Sequence, residues 1–145
     1  MKALIQRVCS ASVQVDGHCV GQIGRGLLVF LGVEPQDNEK TADLLLQKVL
    51  AYRIFPDEAG KMNLGLKDVD AELLVVSQFT LVADTRKGLR PSFSSAAAPA
   101  LGKALYDYFV SEARNRARRV ETGRFGSDMQ VNLVNDGPVT FMLEM

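Results

Sequence analysis

Two continuous apolar runs constrain the fold of this chain more than any other feature. Residues 27–33 (LLVFLGV) and 73–76 (LLVV) would carry no charged side chain on either face of an extended backbone. A strand of this composition must be covered on both faces, like the inner strands of a layered sheet. Each run is followed by a segment with a helical pattern, so the sequence predicts a sheet covered by helices.

Two helices are predicted. The first starts from an N-cap at Asp37 or Asn38, and the second opens at Pro99, a residue suited to a first helical turn, and continues to about Arg116. The apolar stripe of the first helix comprises Leu44, Leu45, Lys48, Val49 and Tyr52. That of the second comprises Leu101, Leu105, Tyr108 and Phe109.

Strand-like segments occupy both ends of the chain. Those near the start are 3–8, 11–15 and 19–23, with Asp16-Gly17 as a hairpin turn. Those near the end are 120–122, 129–134 and 139–143, and a further strand covers 72–81. This order predicts one α/β domain over residues 1–145, with mixed, barrel-like sheet layers and two main helices. Its plan is strand, strand, two strand-helix units and three strands.

Composition narrows the class of protein. The chain has 145 residues, 47% of them hydrophobic, which suits one domain with a substantial core. No apolar stretch could span a bilayer and no signal-peptide pattern is present, so a cytoplasmic protein without membrane contact is expected. Cys9 and Cys19 have no CxxC spacing and are expected to be buried free thiols. Net charge is zero, so nothing global indicates nucleic-acid binding, and any such contact must come from a local patch. DNA is not expected as a partner.

The chemistry available to an enzyme with this sequence is limited. His18 is the only histidine and lies beside the predicted turn, so neither a Ser-His-Asp nor a Cys-His triad is expected. The chain has no HExxH, no cluster of metal ligands, no phosphate loop and no dinucleotide fingerprint. Neither a metal nor another cofactor is expected. The groups that remain for catalysis are backbone amides, hydroxyl groups and the substrate itself.

Residues 77–80 (SQFT) end the second apolar run, at a position where functional groups often lie in sheet proteins. They could simply complete the strand end, with Phe79 in the core. They could instead present the backbone N–H groups of Phe79 and Thr80 to a developing oxyanion, each worth about 3 kcal/mol in known hydrolases. The Thr80 hydroxyl, without a base beside it, would be a poor nucleophile. Both interpretations stay open.

A Gly-Pro step divides the last two strand-like segments. Gly137 accepts nearly any backbone dihedral, and the bond before Pro138 can be cis at a cost of about 0.5–1 kcal/mol. Such a step between strands can turn backbone carbonyl groups outward in a fixed direction.

Five segments together resemble the D-aminoacyl-tRNA deacylases. They are SQFTL at 77–81, KGLRPSF at 87–93, GKMN at 60–63, TGRFG at 122–126 and NDGPVT at 135–140. Each is short and weak by itself, but the set occurs in the family's order. The resemblance covers essentially the whole chain from Gln6 onward.

The resemblance implies a homodimer with two active sites at its interface. It implies that Gly137-Pro138 is cis and enters the other subunit's site, where its carbonyl groups occupy the space of an L side chain. Selection would then work by exclusion of L-aminoacyl-tRNA, with D-aminoacyl-tRNA and glycyl-tRNA as substrates. The catalytic residues implied are Ser77, Gln78, Phe79 and Thr80. Arg7 would support the Gly-Pro loop and Met129 would form a pocket wall, although a solvated strand arginine and a core methionine are the alternatives.

The resemblance also implies RNA-assisted catalysis, in which the vicinal hydroxyl of the terminal ribose assists water. Two other functions remain possible from the residues alone. One is an RNA-binding module without catalysis, and the other is a small-ester hydrolase with Thr80 as nucleophile.

Two basic clusters could contact tRNA. The favoured one is the loop that contains Arg86, Lys87 and Arg90. The other lies near the end of the second helix and comprises Arg114, Arg116, Arg118 and Arg119. These last four could equally form a solvated helix end that complements the helix dipole.

Overall fold

A computed structural model describes all residues from 1 to 145. In chain order its elements are β1 (Lys2–Val15), β2 (His18–Ile23), β3 (Gly26–Gly32), α1 (Glu39–Ala51), β4 (Phe55–Pro56), β5 (Met62–Leu64), β6 (Glu72–Ser77), a 3₁₀ helix (Phe79–Val82), α2 (Pro99–Arg116), β7 (Val120–Thr122) and β8 (Gln130–Glu144).

The long strand β1 organises the main sheet. On one edge it pairs antiparallel with β8, and on the other with β2 and then β3, so that Val8 lies opposite both Gly26 and Asn135. β6 pairs parallel with β3, and β7 pairs parallel with β6. The sheet is therefore mixed, as a pair of strand-helix units inserted between antiparallel strands requires.

The sheet curls until its ends approach each other. A Cβ atom added to Gly21 on β2 would overlap the Thr122 carbonyl on β7, the strand at the other end of the sheet. Glycine is needed at position 21 because backbone approaches backbone there. The result is a nearly closed, barrel-like sheet with two helices, which confirms the predicted fold class.

The helices cover the sheet and complete the core. The side chain of Asn38 caps α1 by accepting from the Thr41 N–H at 3.1 Å, and Pro99 opens α2. The core includes Leu27, Val29, Leu73 and Val75 of the parallel strands. Leu28, Leu74 and Val76 on the other face belong to a second, smaller apolar cluster, so both runs are covered on both faces, as their composition predicts.

Strand boundaries differ from the prediction at three places. Segments 3–8 and 11–15 are one strand, and so are the last two predicted segments, which makes two terminal strands in place of three. Arg7 alone on β1 faces four residues of β8, at positions 136–139, so β8 continues past the Gly-Pro step by bulging. The strand predicted to reach residue 81 ends at Ser77, because the chain turns there into the 3₁₀ helix.

The short β4–β5 hairpin was not predicted, because two- and three-residue strands have too little periodicity to detect. The prediction of buried thiols is wrong, since Cys9 and Cys19 are both exposed. Cys9 lies where the β1–β8 register shifts, so its side chain does not alternate into the core. None of the helices is long and apolar enough to cross a membrane.

Candidate active site

A cavity of about 470 Å³ lies beside the carboxyl ends of the parallel strands β3 and β6. Ser77, Gln78 and Phe79 form part of its wall, directly after β6. Parallel strands end at the same edge of a sheet, which is where ligands bind in many α/β proteins. Three of the four residues predicted to be catalytic therefore reach one cavity.

The segment after β6 is held in place by its backbone. The Gln78 N–H donates to the Leu31 carbonyl at 2.8 Å, which ends the parallel ladder. In the 3₁₀ helix that follows, the N-cap Gln78 makes no capping hydrogen bond through its side chain. The N–H groups of Phe79 and Thr80 belong to the first turn of this helix and so have no acceptor within it. Phe79 lies in the cavity wall, and Thr80 follows it.

Thr80 does not line the cavity. Its exposed hydroxyl oxygen accepts a hydrogen bond from the Gln78 side-chain amide, with no histidine or carboxylate bonded to it. An amide cannot act as the base that a threonine nucleophile requires. Thr80 therefore has no activating base bonded to its hydroxyl.

The opposite wall comes from α2 and from the segment between β7 and β8. Gly102 of α2 lies next to the Phe125 ring, since a Cβ atom at that position would be 3.6 Å from it. Phe125 packs against the Tyr106 ring at 5.8 Å, and the Tyr106 hydroxyl donates to the Val75 carbonyl at 2.9 Å. Burial raises the pKa of Tyr106 to about 12, so this donor stays protonated. Tyr106 thereby ties the aromatic wall to β6.

Met129 lines the cavity and also packs against the smaller apolar cluster of the barrel. A Cβ atom on Gly123 would lie 2.7 Å from its sulfur, so the glycine makes room for the side chain. Met129 therefore contacts both the cavity and the apolar cluster.

Gly137 and Pro138 lie outside this cavity and are exposed. The peptide bond between them is cis. Together with Asp136 and Val139 they form the bulge of β8, which we call the Gly-Pro loop (residues 136–139). Within one chain, the loop and the cavity are separate.

Arg7 supports this loop directly. Its Nε donates to the Asp136 carbonyl at 3.2 Å and lies 2.9 Å from the Asp136 carboxylate. A terminal nitrogen donates to the Ile54 carbonyl at 2.6 Å. With 11% of its side chain exposed and three polar contacts, Arg7 is a half-buried residue held against the loop, which does not match the alternative of a solvated strand arginine.

The basic loop predicted to contact RNA leaves the 3₁₀ helix and is closed by backbone hydrogen bonds between Asp84 and Ser92. Arg86 is bound to Asp84 through two guanidinium nitrogens at 2.9 and 2.7 Å. Those hydrogen bonds hold the pKa of Asp84 well below its usual range. Lys87 and Arg90 are exposed and make no ion pair.

The second basic cluster is largely neutralised. Arg116 pairs with Asp43 and Glu112, at 2.8 and 2.6 Å. Arg118 pairs with Asp70, and Arg119 lies 3.0 Å from Glu72. These pairs support the alternative of a solvated helix end, since a guanidinium held by carboxylates is a weaker partner for phosphate.

Several cavity residues were missed by the sequence analysis. Pro99, Phe125, Ser127 and Asp128 all line the cavity. The TGRFG segment carried part of the family resemblance, and that was the available signal for Phe125. Nothing in the sequence placed the α2 start against it. No group of three or more His, Cys, Asp or Glu side chains is arranged to hold a metal ion.

The fold class is shared with two solved structures. One, described as c-Myc DNA Unwinding Element Binding Protein, superposes with a TM-score of 0.96 at 40% identity and covers 100% of this chain and 99% of its own. The other, a probable eukaryotic D-amino acid tRNA deacylase, has a TM-score of 0.86 at 19% identity, with 99% and 98% covered, and supports the fold alone.

The chain belongs to the D-Tyr-tRNA(Tyr) deacylase family, whose model matches residues 4–144. Curated relatives named D-aminoacyl-tRNA deacylase match over nearly all of both chains. The relative from Pseudomonas putida (strain GB-1) is 61% identical, with 100% of each chain covered. The relative from Stutzerimonas stutzeri (strain A1501) is 63% identical, with 99% of each covered.

Proposed function

We propose that this protein hydrolyses the ester bond of D-aminoacyl-tRNA and of glycyl-tRNA and spares L-aminoacyl-tRNA. The observation that carries the proposal is the cavity after β6, which offers a polar strand end, while the Thr80 hydroxyl beside it is bonded to an amide and to no base. Family membership supplies the substrate class. We place the activity in the cytoplasm, where charged tRNA is used.

Catalysis would rest on position and on the substrate's own groups. The apolar and aromatic wall around Phe125 suits the terminal base of tRNA, since single-stranded bases bind by stacking. The ester would then lie beside Ser77 and Gln78. The N–H groups of Phe79 and Thr80 would stabilise the oxyanion, while the neighbouring ribose hydroxyl assists water. Neither metal nor cofactor takes part in this scheme.

The direct test compares D-tyrosyl-tRNA with L-tyrosyl-tRNA in the presence of EDTA. We expect rapid release of D-tyrosine only, and a rate within a few-fold of the parent for His18→Ala. His18 is an exposed residue at the start of β2, next to the turn, and its Nδ1 lies 2.9 Å from the Asp16 carbonyl, so it should not take part in the reaction. Release is followed with labelled amino acid.

Three results of that test would contradict the proposal. Binding of tRNA with an intact ester would identify a non-catalytic RNA-binding module. Cleavage of simple esters without tRNA would identify a small-ester hydrolase. A collapse of the rate in EDTA would require a metal.

We further propose that the Gly-Pro loop selects for chirality in the cavity of a second subunit. Gly137 and Pro138 are exposed and do not reach the cavity of their own chain. β8 pairs only with β1, so its other edge is free over the length of the strand. Val134 and Met142 on this strand are 56% and 45% exposed. A free edge and exposed apolar side chains are features that a second copy would cover.

Complementation tests the homodimer. In Gly137→Phe, an aromatic ring on the loop would enter the neighbouring site. In Phe79→Pro, the cavity would lose one backbone N–H donor. Both homodimers should therefore hydrolyse the substrate slowly. Random mixing produces heterodimers with one intact site, and we expect recovery of about a quarter of the parent rate. Rates are measured after the two chains are unfolded together and refolded. A fully active monomer in sedimentation would contradict the assembly.

The basic loop provides a test of tRNA docking. Because Lys87 and Arg90 are unpaired, Lys87→Ala and Arg90→Ala should each lower the salt slope of tRNA binding by about 0.7–0.9. Arg86→Ala should lower it less, because Asp84 already binds that guanidinium. Fluorescence anisotropy at a series of salt concentrations measures the slope.

Arg118→Ala is the control for the basic loop, because Arg118 is equally exposed but paired with Asp70. A lower slope for Arg118→Ala together with unchanged slopes for Lys87→Ala and Arg90→Ala would contradict docking through this loop. Duplex DNA serves as competitor, since one relative is named for DNA binding. Equal competition by DNA would contradict a preference for tRNA.

A further inference from the structure

The base of the Gly-Pro loop is closed by one side-chain amide. Asn135 Nδ2 donates to the Arg7 carbonyl at 2.9 Å and to the Val139 carbonyl at 3.1 Å. Arg7 lies on the neighbouring strand, and Val139 lies at the far end of the loop. One amide therefore joins both ends of the loop to β1.

These two hydrogen bonds lie where the backbone pairing of β1 with β8 is interrupted. Between the Gln6–Thr140 and Val8–Asn135 pairs, four residues of β8 face one residue of β1. Ordinary ladder hydrogen bonds cannot hold such a bulge in register. The Arg7 guanidinium braces the start of the loop at Asp136, and the Asn135 amide holds its end at Val139, a residue that is 4% exposed.

The other atom of the same amide limits what can occupy position 137. A Cβ atom added to Gly137 would lie 2.5 Å from Asn135 Oδ1 and 3.3 Å from its Cγ. Gly137 has no positive φ, so glycine is needed here for space and not for a left-handed backbone. Asn135 thus defines both the closure of the loop and the packing under Gly137.

We infer that Asn135 is a positioning residue for chiral selection. This inference rests on the proposed function, because it concerns the loop that excludes L side chains. If the Asn135 amide no longer holds the loop, the loop shifts away from its place in the partner's cavity. L-Aminoacyl-tRNA then gains access, while the cavity that performs hydrolysis stays intact.

Asn135→Asp tests this inference, because it keeps the size of the side chain but replaces the Nδ2 donor with an acceptor facing two carbonyl oxygens. The matched control is Asn132→Asp, which changes another exposed asparagine of β8 that makes no side-chain hydrogen bond. We expect the ratio of L-alanyl-tRNA to D-alanyl-tRNA hydrolysis to rise at least about tenfold in Asn135→Asp, as the loss of one or two hydrogen bonds would produce. Asn132→Asp should leave the ratio unchanged.

A simple loss of stability would lower both rates together, so the ratio separates positioning from folding. In a parent that discriminates, an unchanged ratio in Asn135→Asp overturns the inference. A ratio that rises equally in Asn132→Asp does so too.

Hydrogen exchange tests the same claim without relying on activity. Amide exchange in the Gly-Pro loop should be at least about tenfold faster in Asn135→Asp than in the parent, and unchanged in Asn132→Asp. Unchanged exchange in Asn135→Asp overturns the inference. If the parent fails to distinguish D- from L-aminoacyl-tRNA, the proposed function is wrong, and the exchange rates alone decide whether Asn135 holds the loop.

Discussion

Glycyl-tRNA is expected to be hydrolysed at a rate similar to that of D-alanyl-tRNA, whereas L-alanyl-tRNA should react more slowly by more than about 200-fold. The reason is that backbone atoms of Gly137 and Pro138 would occupy the space of an L side chain. Favourable pocket contacts for one methyl group yield about 10- to 200-fold discrimination, and a steric clash with a braced loop exceeds that range. A glycyl group has only hydrogen at this position and cannot be rejected.

Rates for glycyl-, D-alanyl-, D-tyrosyl- and L-alanyl-tRNA decide between exclusion and recognition. Exclusion predicts similar rates for the two D-substrates, because the D side chain points away from the loop. The exclusion model would be contradicted if glycyl-tRNA were not hydrolysed and the rates for D-aminoacyl-tRNA depended strongly on side-chain size. The same four rates measured for Asn132→Asp should match those of the parent, since this substitution leaves the loop unchanged.

A D-aminoacyl-tRNA that ends in 2′-deoxyribose should react at least about 100-fold more slowly than its ribose counterpart, because it lacks the hydroxyl that assists water. Thr80→Val, in contrast, should keep the rate within several-fold of the parent. The Thr80 hydroxyl already accepts a hydrogen bond from the Gln78 amide and has no base beside it. Single-turnover rates for both substrates and both proteins provide the comparison.

A competition binding assay tests whether the deoxy substrate reacts slowly only because it binds weakly. We expect the deoxy and ribose forms to compete equally well. A covalent acyl-Thr80 adduct trapped by rapid quenching would reverse the assignment. So would a collapse of the rate in Thr80→Val with normal reaction of the deoxy substrate.

Features set by neighbouring residues were predictable. The Asn38 cap, the Pro99 helix start and the two apolar strands all depend on residues within one element. The start of β6 at Glu72 was also found, whereas the strand was predicted to reach residue 81 and ends at Ser77. Features that depend on strand pairing or on ion pairs were not predictable. Cys9 is exposed because a shift in the β1–β8 register turns it outward. Arg86 is neutralised because its loop folds so that Asp84 binds it.

The sequence by itself determined the class of fold, the residues after β6 and the Gly137-Pro138 step, because periodicity and short motifs are local properties of the chain. Only the tertiary structure decided what surrounds them. It placed Phe125 in the cavity wall, and it placed the Gly-Pro loop outside that cavity. It also joined Arg7 to Asp136 and Asn135, across 129 and 128 positions of sequence. Such contacts arise when two long strands that are far apart in sequence pair in one register, and the burial of their faces in the assembled sheet fixes that register.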